Sequence, residues 1–461
     1  MKTLLHKLIE PKAQLSGDRL LFSDRDIGRL IIPLFFEQLL VMLVGIADTF
    51  MISYAGDTAV SGVSLVNMFN TIFIYLFTAL ASGGAVVVSQ YIGSRDKENT
   101  NRSAGQLLMS ITLLGALMMT VSLIWNRQLL GLLFGGVEAA VMEAGVTYLR
   151  ISACSFPFMA IYNAGAALFR STGKTKYTMY ISVTSNIINI IGNAIGIFVL
   201  HAGVAGVAYP TLIAHIFSAV VITVMCFNRE RTVYYDLKDI LRIDRTMINR
   251  ILKVAVPNGV ENGLFQLIKV ALSSVTALFG TAQIAANGIA QSFWSLAALM
   301  GVAMGPAFIT VIGRCMGAGD TEAARYYMNK MVRITLLSSV IWNGLIFAVT
   351  PLFMQFYPLD NEIITLVIWL VLIHNVFNAF LFPFSGAMSN GLRAAGDVKY
   401  AMYVSVISTV AARLVLSIVF GIWFNMGVIG IALAMCCDWA VRAICVITRY
   451  KSGKWTQHKV I

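Results

Sequence analysis

Apolar runs long enough to cross a bilayer recur from Ile31 to Val446 of a 461-residue chain, so the expected fold is a bundle of membrane-spanning helices. Hydrophobic side chains make up 58% of the sequence and charged ones 12%, about half the charge of an ordinary soluble domain, which excludes a soluble enzyme. A net charge of +12 would suggest a nucleic-acid partner in a soluble chain. Here the basic residues act first as topology signals, and no nucleic acid is expected. They gather at both termini and in alternate loops, at 95–102, 170–176, 229–253, 314–333 and 393–399, whereas the intervening loops hold almost none. An even number of helices with both termini cytoplasmic follows, in the plasma membrane.

Splitting the runs at Gly, Pro, Asn and charged clusters predicts twelve helices, at 27–54, 62–92, 103–125, 139–169, 177–200, 204–228, 252–279, 285–313, 331–356, 361–391, 399–423 and 427–449. The expected organisation is a cytoplasmic amino-terminal segment (1–26), a first lobe (27–228), a cytoplasmic linker (229–250), a second lobe (251–449) and a cytoplasmic tail (450–461). Residues 1–26 lack the apolar core and cleavage site of a signal peptide and are expected to hold a short amphipathic helix. Six cysteines without C-x-x-C spacing or a neighbouring His cluster read as packing residues, not as disulfides or a metal site.

The two halves match when one is slid along the other by about 224 residues. Pro33 falls on Pro257, Glu37 on Glu261, Gly56 on Gly280, Gly93 on Gly317, Asp96 on Asp320 and Glu98 on Glu322. Further on, Arg170 to Tyr177 matches Arg393 to Tyr400, and Gly203 and Gly206 match Gly427 and Gly430. The fold class is therefore an all-α polytopic membrane protein whose twelve helices form two parallel-repeat lobes of six. Two such lobes would enclose a central cleft, the geometry of an alternating-access transporter.

Ionisable residues within spanning helices cost about 2.5–3.5 kcal/mol each at the helix centre, so each needs a reason. The first half holds Glu37, Asp48 and Arg150, and the second holds Glu261, Lys269, Arg413, Asp438 and Arg442. Acids outnumber bases only in the first half, and Asp48 is the leading candidate for taking up a coupling cation. Glu37, repeated at Glu261, is expected to organise its lobe, and it also counts as a candidate for bordering the cleft with Asn67, Asn70, Tyr75, Asn287 and Gln291. Glu261, Lys269, Arg413, Asp438 and Arg442 are expected to form a structural charge network, with Asp438 and Arg442 paired across one helical turn. The competing view is that surplus positive charge in this half binds an anionic group of the substrate.

The first helix, Pro33-x3-Glu37-x10-Asp48-Thr-Phe-Met followed by Ala55-Gly56, resembles that of the multidrug and toxic compound extrusion (MATE) antiporters. The run Tyr148 to Ile151, the turns at Arg170 and Arg393, and Gly-x-x-Gly-x-Ala at Gly203 resemble that family too, over about the whole chain. The resemblance implies a V-shaped pair of lobes and export of organic cations or other amphipathic compounds against entering Na⁺ or H⁺. It also implies a cation site of Asp48, Asn189, Asn193 and Thr211, with Asn193 standing where the family pattern has Asp. An amide supplies an oxygen ligand but not a second negative charge, which tilts the expectation toward H⁺.

The expected function is thus a secondary antiporter acting as a monomer on a small amphipathic substrate, with no cofactor beyond the coupling ion. The alternative is a flippase for a lipid-linked intermediate on a related fold. No phosphate loop, His-Glu-x-x-His or sequence-evident nucleophile and base appears, so catalysis is not expected.

Overall fold

The computed structural model describes residues 9–11, 15–16, 19–356 and 359–461. Most of the amphipathic helix expected within 1–26 falls outside them. The chain is helical nearly throughout, and its long helices run in the order α1 (Asp24–Ser53), α2 (Asp57–Gly93), α3 (Lys97–Ile124), α4 (Ala139–Ala153 and Phe156–Ser171), α5 (Thr175–Val199) and α6 (Ala205–Cys226). The second half continues with α7 (Arg245–Ala277), α8 (Thr281–Gly317), α9 (Thr321–Met354), α10 (Asn361–Ala394), α11 (Val398–Trp423) and α12 (Gly427–Lys451). Ten of these are long and apolar enough to cross a membrane, and α4, bent by 46° between its two pieces, makes eleven. The twelfth, α7, has 33 residues but dilutes its apolar run with Asn258, Glu261, Asn262 and Lys269. It starts at Arg245, seven residues before the predicted boundary, because nothing polar in 245–251 breaks a helix.

The residues shared by the two halves have matching structural duties. Gly56 and Gly280 precede α2 and α8 with φ of 97° and 87°, a backbone region that a side chain would strain. Asp96 and Asp320 cap α3 and α9, accepting from the backbone N–H of Asn99 at 3.0 Å and of Ala323 at 2.9 Å. Glu37 is 3% exposed and accepts from Arg170 Nη2 (2.6 Å) and Thr178 Oγ1 (3.0 Å). Glu261 repeats the arrangement with Arg393 Nη2 (2.5 Å) and Ser405 Oγ (2.7 Å). Each pair ties the first helix of its repeat to the end of the fourth and the start of the fifth.

By internal contacts the chain divides into two compact units, one of Gly28–Gly259 and one of Val260–Ile461 together with Met1–Ile27. The division falls inside α7, just after Pro257 and Asn258. The segment before α1 thus packs with the carboxyl-terminal half. Tyr327 of α9 both accepts from the backbone N–H of Phe22 (2.8 Å) and donates to its carbonyl (2.7 Å), while Lys330 pairs with Glu10 and Asp24. Burial opposes the Glu10 carboxylate, but hydrogen bonds from Lys330 and Tyr326 outweigh it and hold its pKa below the usual range. The connection at 229–244 packs instead on α3, where the buried Gln106 donates to the carbonyls of Asp239 (2.5 Å) and Arg242 (2.8 Å) and accepts from Asp244 N–H (2.9 Å).

Helices α5 and α6 approach to backbone contact through Gly196 and Gly206, and α11 and α12 do so where Gly430 lies over Phe420 and Gly421. The amino-terminal crossing sets the separation between Asn193 on α5 and Thr211 on α6. A Cβ on Gly196 would meet the Gly206 carbonyl oxygen at 2.1 Å, and backbone cannot swing aside. Gly196→Ala is therefore expected to destabilise the protein by about 1–3 kcal/mol, as overpacking generally does. Melting of the purified protein checks this, and an unchanged transition would show that the two helices separate at no cost.

Candidate functional site

Helices α1, α5 and α6 bring the four expected cation-site residues together. Asn193, fully buried on α5, donates from Nδ2 to Asp48 Oδ1 at 2.7 Å and to Asn189 Oδ1 at 3.1 Å. Asn189 in turn donates to Thr211 Oγ1 at 2.9 Å, and that hydroxyl donates to the Val207 carbonyl at 2.9 Å. Asn189 and Asn193 are one turn apart, so the α5 helix presents both amides to the same side. The site exists because two amides one turn apart on α5 meet an acid from α1 and a hydroxyl from α6.

Its electrostatics follow from what is missing. Among the described residues Asp48 has no ion-pair partner, and the Asn193 amide is the one hydrogen-bond donor it meets. Among the described residues the Asn193 side-chain oxygen has no hydrogen-bond partner although it is buried, an acceptor left without a donor one residue's reach from the carboxylate. A protonated Asp48 or a cation ligand would satisfy such an oxygen. Tyr148, on α4, lies within reach of the Asp48 charge and donates to Asn67 Oδ1 at 3.4 Å. Spacing did not single out Tyr148, because its position near Asp48 depends on the packing of α4 against α2.

The remaining candidates divide by their surroundings. Glu37 is removed from the cleft candidates, because burial and three hydrogen-bond partners, Tyr162 among them, leave it nothing to offer a substrate. Asn67 is exposed, Asn70 donates to Ser152 Oγ at 3.4 Å, and Tyr75 is 36% exposed on the same helix. On α8, Gln291 is half-buried, and Asn287 is buried with its side-chain oxygen lacking a partner. His215, one turn after Thr211, keeps its Nδ1 buried and without a hydrogen bond.

Of the single charge network expected in the second half, Asp438, Arg442 and Arg413 do come together, whereas Glu261 pairs elsewhere and, among the described residues, Lys269 joins no ion pair. Glu261 belongs with Arg393 and accepts from Ser405. Asp438, with no exposed surface, takes Arg442 through Nε at 2.8 Å and Nη2 at 3.1 Å and a third bond from Ser408. Arg413 stands 3.7 Å from Asp438, too far for a hydrogen bond, with its guanidinium 4.7 Å from the centre of the Phe265 ring. Lys269 is exposed and joins neither pair. The cysteines are all free, and among the described residues no group of three His, Cys, Asp or Glu could hold a metal.

Comparison with known proteins adds an independent line. The chain is 28% identical over 440 residues to the transporter YisQ of Bacillus subtilis, itself uncharacterized, covering 92% of this chain and 93% of that one. It is 24% identical over 468 residues to the probable multidrug resistance protein NorM of Thermotoga maritima, covering 100% and 98%. Among solved structures, an outward-facing MATE-family multidrug resistance transporter of the MOP superfamily superposes with a TM-score of 0.87 at 22% identity, covering 96% of this chain and 100% of that one. The MatE family model matches twice, at residues 33–195 and 257–419, and the two matches are displaced by the same 224 residues as the internal repeat. With both repeats matched, and with the paired helices that the repeat predicts in place, the chain belongs to the MatE family of multidrug and toxic compound extrusion transporters.

Proposed function

We propose that this protein exports amphipathic organic compounds across the plasma membrane in exchange for entering H⁺, with Asp48 as the group that carries the proton. The observation that carries the reading is the half-buried Asp48 of α1, with a neutral amide at 2.7 Å and, among the described residues, no basic side chain paired with it. Charged, Asp48 accepts from Asn193; protonated, it presents a hydroxyl to its neighbours, and a cation held by the four residues would meet one carboxylate, two amides and one hydroxyl. Only one of these ligands carries charge, which favours a proton over Na⁺, since Na⁺ gains most from several oxygens with more than one negative charge among them. The name of the Thermotoga maritima relative supports the substrate class, and the clustering of basic residues at both termini supports a cytoplasmic placement of those ends.

The test is efflux of a fluorescent cationic dye into or out of everted membrane vesicles, with pH and Na⁺ gradients imposed separately. A pH gradient should drive transport with no Na⁺ gradient present, and failure of the pH gradient to move any of a broad panel of organic cations would overturn the reading.

Three variants sharpen it. Asp48→Asn keeps size and hydrogen bonding while removing the titratable charge, so the purified protein should melt like wild type and gradient-driven export should fall to the level of vesicles lacking the transporter. Undiminished export would take Asp48 out of the mechanism.

Asn193→Asp places two carboxylates at hydrogen-bond distance, a pair that cannot both remain charged without a cation between them. Above neutral pH the variant should therefore export dye with a stronger dependence on Na⁺ than wild type; equal dependence in the two proteins would count against the site.

Asp438→Asn should act on stability instead, because it leaves the buried Arg442 without its counter-ion at a cost of about 3–5 kcal/mol. The expected outcome is a lower melting temperature and yield with normal coupling per folded molecule. A stable Asp438→Asn protein that does not transport would give this carboxylate a direct role.

A further inference from the structure

The repeat allows the cation site to be located in the second unit, where its polarity is inverted. A shift of 224 residues takes Asp48 to Leu272, Asn189 to Arg413, Asn193 to Ser417 and Thr211 to Met435. The register within α11 explains how an arginine comes to stand there. Ser185 on α5 and Ser408 on α11 are 223 residues apart, yet they donate at 3.0 Å to the carbonyls of Ala214 and Asp438, which are 224 apart. The π-helical turns Ile195–Val199 and Val419–Trp423 are again 224 apart. The extra residue is absorbed between them by a second π-helical turn, Thr409–Val415, which α5 lacks and which carries Arg413. Such single-residue bulges re-aim side chains and recur at functional sites.

Arg413 is left with bonding capacity. Its nearest acid, Asp438, is already neutralised by Arg442, and no hydrogen bond to the Arg413 guanidinium is formed among the described residues. The side chain is 13% exposed and rests on Phe265. One turn beyond Phe265 on α7 comes Lys269, exposed and, among the described residues, without an ion-pair partner, three residues before Leu272. An ammonium group on an apolar helix is tolerated where its side chain reaches water or an anion.

We infer that the carboxyl-terminal unit holds an oxyanion subsite built on Arg413 and flanked by Lys269, which receives a phosphate or carboxylate group of an amphipathic molecule. Substrates with an anionic or zwitterionic head group then fall within the range of the transporter, an extension that rests on the export of amphipathic compounds proposed above. Bidentate donation from a planar guanidinium suits either oxyanion, whereas the lysine contributes a point charge. Because Asp438 keeps Arg442, removing Arg413 leaves no buried carboxylate without a counter-ion.

The test is equilibrium binding of octyl phosphate and octyltrimethylammonium to the purified full-length protein in neutral detergent, with no gradient, so that it stands apart from the export assay. R413Q should weaken octyl phosphate binding by about tenfold or more, the expected loss of a charge-assisted hydrogen-bonded pair, and R413K should weaken it less. Binding of octyltrimethylammonium should not change. K269Q, at an exposed and partnerless position, reports on the subsite even if R413Q fails to fold, and it should weaken octyl phosphate by about threefold. Octyl phosphate that binds equally to wild type and K269Q, or not at all to wild type, overturns the inference, as does a folded R413Q that binds like wild type. Native mass spectrometry from nanodiscs of mixed phosphatidylglycerol and phosphatidylcholine identifies the source. Phosphatidylglycerol retained by wild type and lost from K269Q assigns a lipid head group, and octyl phosphate binding without such retention assigns a soluble amphiphile.

Discussion

A carboxylate buried in the first helix of each repeat and clamped by an arginine at the end of the fourth is the interaction on which both units depend. Glu37 with Arg170 and Glu261 with Arg393 are each completed by a hydroxyl from the fifth helix, Thr178 or Ser405. In a medium with no hydrophobic drive between helices, such bonds supply much of what orients one helix against the next. Three helices that meet at one carboxylate are fixed in rotation as well as in position. With α1 and α5 set in this way, Asp48 and Asn193 are placed opposite one another about eleven residues further along α1. The geometry of the Asp48 cluster therefore rests on an ion pair that takes no part in it.

Much of this was legible in the residues. Pro, Glu, Gly and Asp repeated at one spacing reveal the duplication, and at the helix starts Gly56 and Gly280 form turns while Asp96 and Asp320 form caps. Asp48, Asn189, Asn193 and Thr211 were found through family resemblance together with helical spacing, and one chain of hydrogen bonds joins them. The partners of Glu37 and Glu261 are hidden in the sequence because Arg170 and Arg393 head basic clusters that read as loops and topology signals, whereas both belong to the last turns of α4 and α10. Position along the chain does not reveal that an arginine at a helix end turns back into the bundle. The grouping of five charges in the second half failed for a related reason: charge counting says which residues need partners but not which partners the packing supplies, so Glu261 and Lys269 were assigned to a cluster they do not join.

The two units, similar in plan, differ in the charge they leave unanswered. In the amino-terminal unit an acid lacks a base, and in the carboxyl-terminal unit a base lacks a free acid. Each imbalance lies within an apolar helix, where an unanswered charge carries a penalty that a surface charge does not. The segments at the helix ends follow the same division of labour. Residues before α1 are tied to α9 through Tyr327 and Lys330, and residues after α6 are tied to α3 through Gln106.

The π-helical turn in α11 bears on how a duplicated structure diverges. An insertion in a regular helix rotates everything beyond it by about 100°, which would turn the packed face of α11 away from α12. By closing one wider turn, the bulge confines the displacement to Thr409–Val415 and returns the helix to register by Val419. Ser408 below and the glycine crossing above keep the partners they have in the first repeat. One added amino acid can thus give the second copy a different interior while its boundary with neighbouring helices stays as it was inherited, so the two halves of one gene product acquire separate tasks without either having to be rebuilt.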